Sequence, residues 1–166
     1  IRGNVGMCQG FDTWQDVMYD LSYSFETVFE RYRNWQDNHR GEPWFVFLHT
    51  YAIHFPYKHE QFIDYRNVLR NWDDQRVLDN DTYDSGIRYA DEWVGSILRD
   101  LENRGLMEET LIILTSDHGE ELGERWMPRP AHHGHSLYDE LLKVPLIFHF
   151  PGRSEEHTSE LQSHHP

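Results

Sequence analysis

The sequence predicts an α/β fold, a mostly parallel or mixed central sheet flanked by helices. Three observations carry that expectation. Continuous apolar runs of strand length stand at residues 44–48 (WFVFL) and 111–114 (LIIL), and 144–150 (VPLIFHF) reads as a third strand. Between the first two, apolar residues recur at helical spacing. Polar loops with Gly, Pro or His follow or precede each run, as the ends of strands require.

Residues 1–20 carry Gly3, Asn4, Gly6 and Gly10 with scattered aromatics and read as a loop leading into structure. Phe25, Val28, Phe29, Tyr32 and Trp35 step by three and four, which predicts an amphipathic helix over about 23–38 with Ser22 or Ser24 as its cap. Gly41-Glu42-Pro43 stops it. The run 44–48 has no polar alternation and reads as a strand covered on both faces. Residues 49–58 follow as a loop, and 60–76 are polar and weakly helical. Tyr83, Ile87, Ala90, Val94, Ile97 and Leu101 form the clearest helical stripe, widened by Leu98 and closed by Gly105. Residues 111–114 make a second buried strand, 136–143 a short helix, and 144–150 a third strand with Pro145 near its start.

Composition narrows the function. The 166 residues suffice for one modest domain, and 38% hydrophobic content with 27% charged excludes a disordered chain. No apolar run approaches the ~20 residues of a membrane-spanning helix. A net charge of −14 disfavours a broad grip on nucleic-acid backbones, although a few residues suffice for a local anion site. The single cysteine, Cys8, excludes an intrachain disulfide framework and a cysteine-based zinc site.

The ends read as cut. The chain starts at Ile1 without a signal-type segment, so its start says nothing about compartment. From Arg153 to His164 the string RSEEHTSELQSH resembles the in-frame translation of a sequencing adapter. The expected organisation is therefore a partial domain over 1–152 and a non-native, disordered tail over 153–166. The tail histidines are not candidate ligands.

Three polar clusters stand out: two lie where ligands gather in α/β sheets, after strand C-termini, and a third lies just before the last strand. The first is His54, in His54-Phe55-Pro56-Tyr57. The second is Asp117-His118-Gly119, in which a carboxylate and an imidazole together suit a divalent cation. The third is His132-His133-Gly134-His135. Each alone is compatible with a plain alternative: a proline turn, a capping carboxylate beside an exposed histidine, a solvated loop. Tyr57 reads as packing. Glu120 and Glu121 read as a solvated acidic turn, with support of the metal loop as the alternative. Asp91 and Glu92 read as solvent-facing, with Arg88 one turn before Glu92.

Taken together, PWFVFLHTYAIHFPY (43–57), YDSGIRYADEWVGSILRDLENRGLMEETLIILTSDHGEELGER (83–125) and HHGHSLYDELLKVPLIFHFPG (132–152) resemble, in one collinear order, the sulfatases of the alkaline-phosphatase-like superfamily. GFDTW at 10–14 also fits. The resemblance implies a metal-dependent hydrolase of sulfate esters, acting on a small aryl or other ester or on a sulfated carbohydrate. It implies Asp117 and His118 as ligands of a divalent metal, usually Ca2+, with Mg2+, Mn2+ or Zn2+ open. It implies His54 beside the departing ester oxygen, and His133 as a catalytic cation against the sulfate oxygens, with His135 as substrate contact if the loop register shifts by two. The family's nucleophile is a formylglycine made from Cys or Ser in a C/S-x-P-S-R-like motif. Cys8, in Met7-Cys8-Gln9-Gly10-Phe11, is not in such a motif, so the nucleophile and the family's N-terminal aspartate pair are expected upstream. Many relatives are exported or periplasmic, which the lone cysteine fits without fixing a compartment. The alternatives are a phosphodiesterase or phosphonate monoester hydrolase of the same superfamily, and a non-catalytic relative that binds sulfated glycans.

Overall fold

The computed structural model describes residues 6, 8–15, 24–70, 75–124, 133–134 and 136–152. His135 and the tail 153–166 lie outside the described residues. The chain divides into two compact units, one made of Ile1–Ile97 with Leu122–His132, the other of Leu98–Glu121 with His133–Pro166.

In the first unit, α1 runs over Phe25–Asn38. Its cap is Ser24, whose Oγ accepts the Thr27 backbone N–H at 3.2 Å and so satisfies one of the amides left unpaired at a helix start. Of the apolar positions of α1, Phe25, Val28 and Tyr32 are buried and Phe29 and Trp35 half-buried. Phe25 and Val28 join Ala90 in the core, with Leu48, Ile53, Tyr89, Trp93, Val94 and Ile97 packed around them. Burying a side chain the size of Phe or Val is worth roughly 1.5–3 kcal/mol, so this seam holds α1 in place. A short helix, α2, follows at Tyr65–Arg70, and α3 occupies Gln75–Asn103. The predicted weak helix at 60–76 is thus α2 together with the start of α3. The long helix begins about two turns before its first apolar stripe residue, Tyr83, because the preceding turns are polar and show no periodicity.

Residues 44–48 do not form the doubly covered strand expected of them. They belong to no ladder among the described residues, and their exposure alternates. Trp44, Val46 and Leu48 are half-buried, whereas Phe45 and Phe47 point outward, 75% and 53% exposed. An unbroken apolar run reports attraction to two faces; here only one face meets the core. The run borders a cleft of about 370 Å3 whose walls include Phe11, Trp14, Tyr32, Trp35, Trp44 and Phe45.

In the second unit, α3 ends in a Schellman motif. Gly105, at φ +69°, donates its N–H to the Glu102 carbonyl, and Leu106 donates to the Leu101 carbonyl, both at 2.9 Å. The left-handed backbone is why glycine stands there. A single 3-10 turn at Met107–Glu109 leads into β1, Ile112–Thr115. The later helix α4 is one turn, Asp139–Leu142, and β2 is Leu146–His149. In its last turn the Asp139 carboxylate, 2.7 Å from the Lys143 ammonium, raises the lysine pKa by hydrogen bond and charge. The two strands pair antiparallel, with Ile112 opposite His149 and Thr115 opposite Leu146. The observed ladder is therefore antiparallel, and the parallel part of the expected sheet is not formed among the described residues.

Candidate functional site

The second unit brings three of the predicted residues together. Asp117 and His118 leave the C-terminal end of β1, and His133 returns to meet them just before α4. Asp117 is largely exposed, at 74%, and its Oδ1 accepts the His118 backbone N–H at 3.1 Å. That local bond turns the carboxylate back over the loop and sets it 3.8 Å from His118 Nε2. His118 Nδ1 lies 2.7 Å from the Gly119 carbonyl oxygen. A carbonyl can only accept, so Nδ1 carries the proton and Nε2 presents its lone pair. One carboxylate and one imidazole Nε2 at this separation suit a shared divalent cation, and the carbonyl-anchored ring is the arrangement in which a histidine ligates well. Among the described residues no third His, Cys, Asp or Glu completes a metal cluster.

Gly119 fixes the loop against α4. Its N–H donates to the Leu141 carbonyl at 2.9 Å, and a Cβ built on it would stand 2.0 Å from the Glu140 carbonyl oxygen. No side chain fits there. The Asp-His pair is thereby held in one place relative to α4 by backbone contact.

Glu120 and Glu121 are not the solvated turn their sequence predicts. They are buried, 9% and 3% exposed. An ionised carboxylate out of water costs several kcal/mol unless it is paired, and Glu120 meets that cost through His133, whose Nδ1 lies 2.9 Å from Glu120 Oε1. The rings of His133 and His118 stand 4.2 Å apart, centre to centre, tilted by 31°. The structure thus joins Asp117, His118 and His133 and adds Glu120. Nothing in Gly-Glu-Glu-Leu announces burial, because the cause is a histidine thirteen positions away.

His54 belongs to the first unit. Its N–H donates to the Tyr51 carbonyl at 3.0 Å, closing a turn, and its Nδ1 donates to the Phe55 carbonyl oxygen. Its ring meets Tyr51 edge-on at 5.3 Å. The turn is pinned to α3 from both sides. Ala52 is buried, and downstream Phe62 donates its N–H to Oγ of the buried Ser85 at 3.0 Å. Ser85 was not marked by the sequence, where a serine inside a helix carries no signal. Tyr57 packs edge-on with Phe55 and Tyr83, in agreement with its reading as a packing residue. Asp91 and Glu92 face solvent as expected, while Arg88 lies 4.5 Å over the Phe62 ring. Cys8 is half-buried.

Comparison with known proteins bears on this geometry. The Sulfatase family model matches residues 3–165. The chain is 37% identical over 118 residues to the low-salt glycan biosynthesis sulfotransferase Agl7 of Haloferax volcanii, covering 64% of this chain and 27% of that protein. It is 39% identical over 75 residues to human iduronate 2-sulfatase, covering 44% of this chain and 12% of the relative. It is 36% identical over 72 residues to the choline-sulfatase of Rhizobium meliloti, covering 42% and 13%. A solved structure from a Bacteroides thetaiotaomicron locus for the metabolism of multiple glycosaminoglycans superposes with a TM-score of 0.59 at 21% identity. It covers 77% of this chain and 29% of its own, and supports an α/β alkaline-phosphatase-like fold. The chain spans about a quarter or less of the length of these curated relatives. With the family model matched across nearly its whole length, the chain belongs to the sulfatase family.

Proposed function

We propose that the protein acts in the hydrolysis of sulfate esters, with a sulfated carbohydrate as the substrate class and a divalent cation, Ca2+ in the first instance, as cofactor. The observation that carries the reading is the junction after β1. There Asp117 and His118 offer an oxygen and a nitrogen to one cation, and His133 stands against His118. A cation and a cationic imidazole side by side suit a group that bears negative charge on three oxygens.

Asp117 and His118 would hold the cation, which when bound supplies positive charge to the sulfuryl oxygens. His133 would donate an N–H to a sulfuryl oxygen that leaves with the sulfate. His54 would give its proton to the ester oxygen as the sulfur–oxygen bond to the alcohol breaks, so that the alcohol departs neutral. The attacking oxygen would be supplied by the family's formylglycine, for which these 166 residues hold no C/S-x-P-S-R motif.

The test is Asp117→Ala in the product of the complete coding sequence. The variant is expected to lose metal-dependent turnover of an aryl sulfate and of sulfated sugars while its melting temperature stays within a few degrees. Metal dependence identical to the unmodified protein overturns the ligand assignment. A second reading has a specific support, the sulfotransferase among the relatives. In it the sulfuryl group passes to a sugar hydroxyl instead of water. Product analysis with an acceptor glycan present separates the two, free sulfate marking hydrolysis and a sulfated acceptor marking transfer.

A further inference from the structure

Glu120 is the buried acid of the loop after β1, with a side chain only 5% exposed, and it faces a ring that is itself 27% exposed. A carboxylate accepts hydrogen bonds and an imidazole nitrogen must then donate, so His133 Nδ1 carries a proton toward Glu120. The geometry is directional. The acid end of the pair is enclosed, and the ring end opens toward solvent. His118 is wired in the same sense by a different acceptor, its Nδ1 committed to the Gly119 carbonyl oxygen at 2.7 Å. Two neighbouring imidazoles are therefore anchored through Nδ1, one by a carbonyl and one by a carboxylate.

We propose that Glu120 is a positioning residue for His133: by accepting the Nδ1–H it fixes the ring plane, so that Nε2, which bears the second proton of the imidazolium, is the atom that donates to an oxygen of the bound sulfate ester. Glu120 itself touches neither substrate nor cation. The inference rests on the sulfate-ester reading of the site, and it deepens that reading by assigning the acid that the Asp117–His118 pair does not use. Its chemistry requires an acceptor at that place more than it requires a charge. Glutamine has the same length and an accepting Oε1; alanine has neither.

The experiment uses the full-length enzyme and three proteins: unmodified, Glu120→Gln and Glu120→Ala. Loss of an outer residue that orients a functional histidine typically costs roughly 10–100-fold in activity or metal affinity. Glu120→Ala is expected to lower kcat for an aryl sulfate by about that factor, while cation affinity stays within about twofold, because Asp117 and His118 keep their own anchors. Glu120→Gln is expected to restore most of kcat. In parallel, 15N-labelled histidine reports the neutral His133 ring as Nδ1-protonated in the unmodified protein and in Glu120→Gln. The proposal is overturned if a folded Glu120→Ala enzyme keeps full kcat, if Glu120→Gln fails as badly as Glu120→Ala, or if the neutral ring carries its proton on Nε2. Should Glu120→Ala not fold, the glutamine variant and the tautomer of the unmodified protein decide. An unmodified enzyme without sulfate-ester turnover refutes the sulfatase reading instead, and the 15N measurement still judges the Glu120–His133 pairing.

Discussion

In the proposed reaction His54 is the proton donor, and its own backbone fixes which ring nitrogen serves. Its Nδ1 is committed to the next carbonyl oxygen, so a proton delivered to a leaving group must come from Nε2. General-acid assistance matters most when the departing alkoxide is basic. His54→Ala is therefore expected to slow esters of weakly acidic alcohols by roughly 10²–10⁴-fold, and activated aryl sulfates far less. A series of aryl sulfates graded by phenol acidity measures this as a steeper dependence on the leaving group, and an equal slowing of every member would remove the role. At this scale the sequence marked residues able to carry the proposed chemistry and was poor about burial. Asp117, His118 and His133 could be singled out because their three segments, taken in order, resemble the sulfatases, and not by residue type alone in a chain with 29 acidic residues and 12 histidines. Glu120 could not be placed, because a polar side chain in a polar loop is buried only by what folds over it.

Elements were legible where the pattern is local. The three- and four-residue spacing of Phe25, Val28 and Tyr32 on α1 is a property of one segment, and these residues are buried, as is Gln36 one turn on. The stop of α3 is equally local, since Gly105 alone supplies the left-handed residue of the Schellman motif. Residues 44–48 show the opposite case. An apolar run asks for neighbours, but which strand lies beside it is decided by distant sequence, and here none pairs with it among the described residues. The loop between β1 and α4 depends on a backbone contact that can be tested at one atom. Gly119→Ala would drive a methyl group to 2.0 Å from the Glu140 carbonyl oxygen, so α4 or the loop after β1 must move. Overpacking of this kind costs typically about 1–3 kcal/mol, occasionally more. The expected result is a melting temperature lowered by several degrees and weakened cation binding; an unchanged melt would show that the loop is not clamped.

For the chain as a whole, exposed apolar surface opposes a strong net charge. Phe45, Phe47, Leu146, Ile147 and Phe148 are each 46% or more exposed, and the only ladder described is two four-residue strands. A two-stranded ribbon is marginal in water without further strands or helices against it, and uncovered apolar strands invite pairing with other chains. A charge of −14 slows that association at low salt and is screened as salt rises. The 166-residue chain on its own is expected to self-associate increasingly with ionic strength in sedimentation velocity and to turn over no aryl sulfate. A monomer at all salt concentrations with one cooperative melt would contradict the first expectation, and measurable turnover the second. The crowding at Gly119 also separates two kinds of inheritance within one tripeptide. A relative that did not use the proposed cation site could let Asp117 and His118 drift, yet it would have to keep the glycine for as long as α4 rested on that spot. In such a lineage the first two positions would record chemistry, and the third only space.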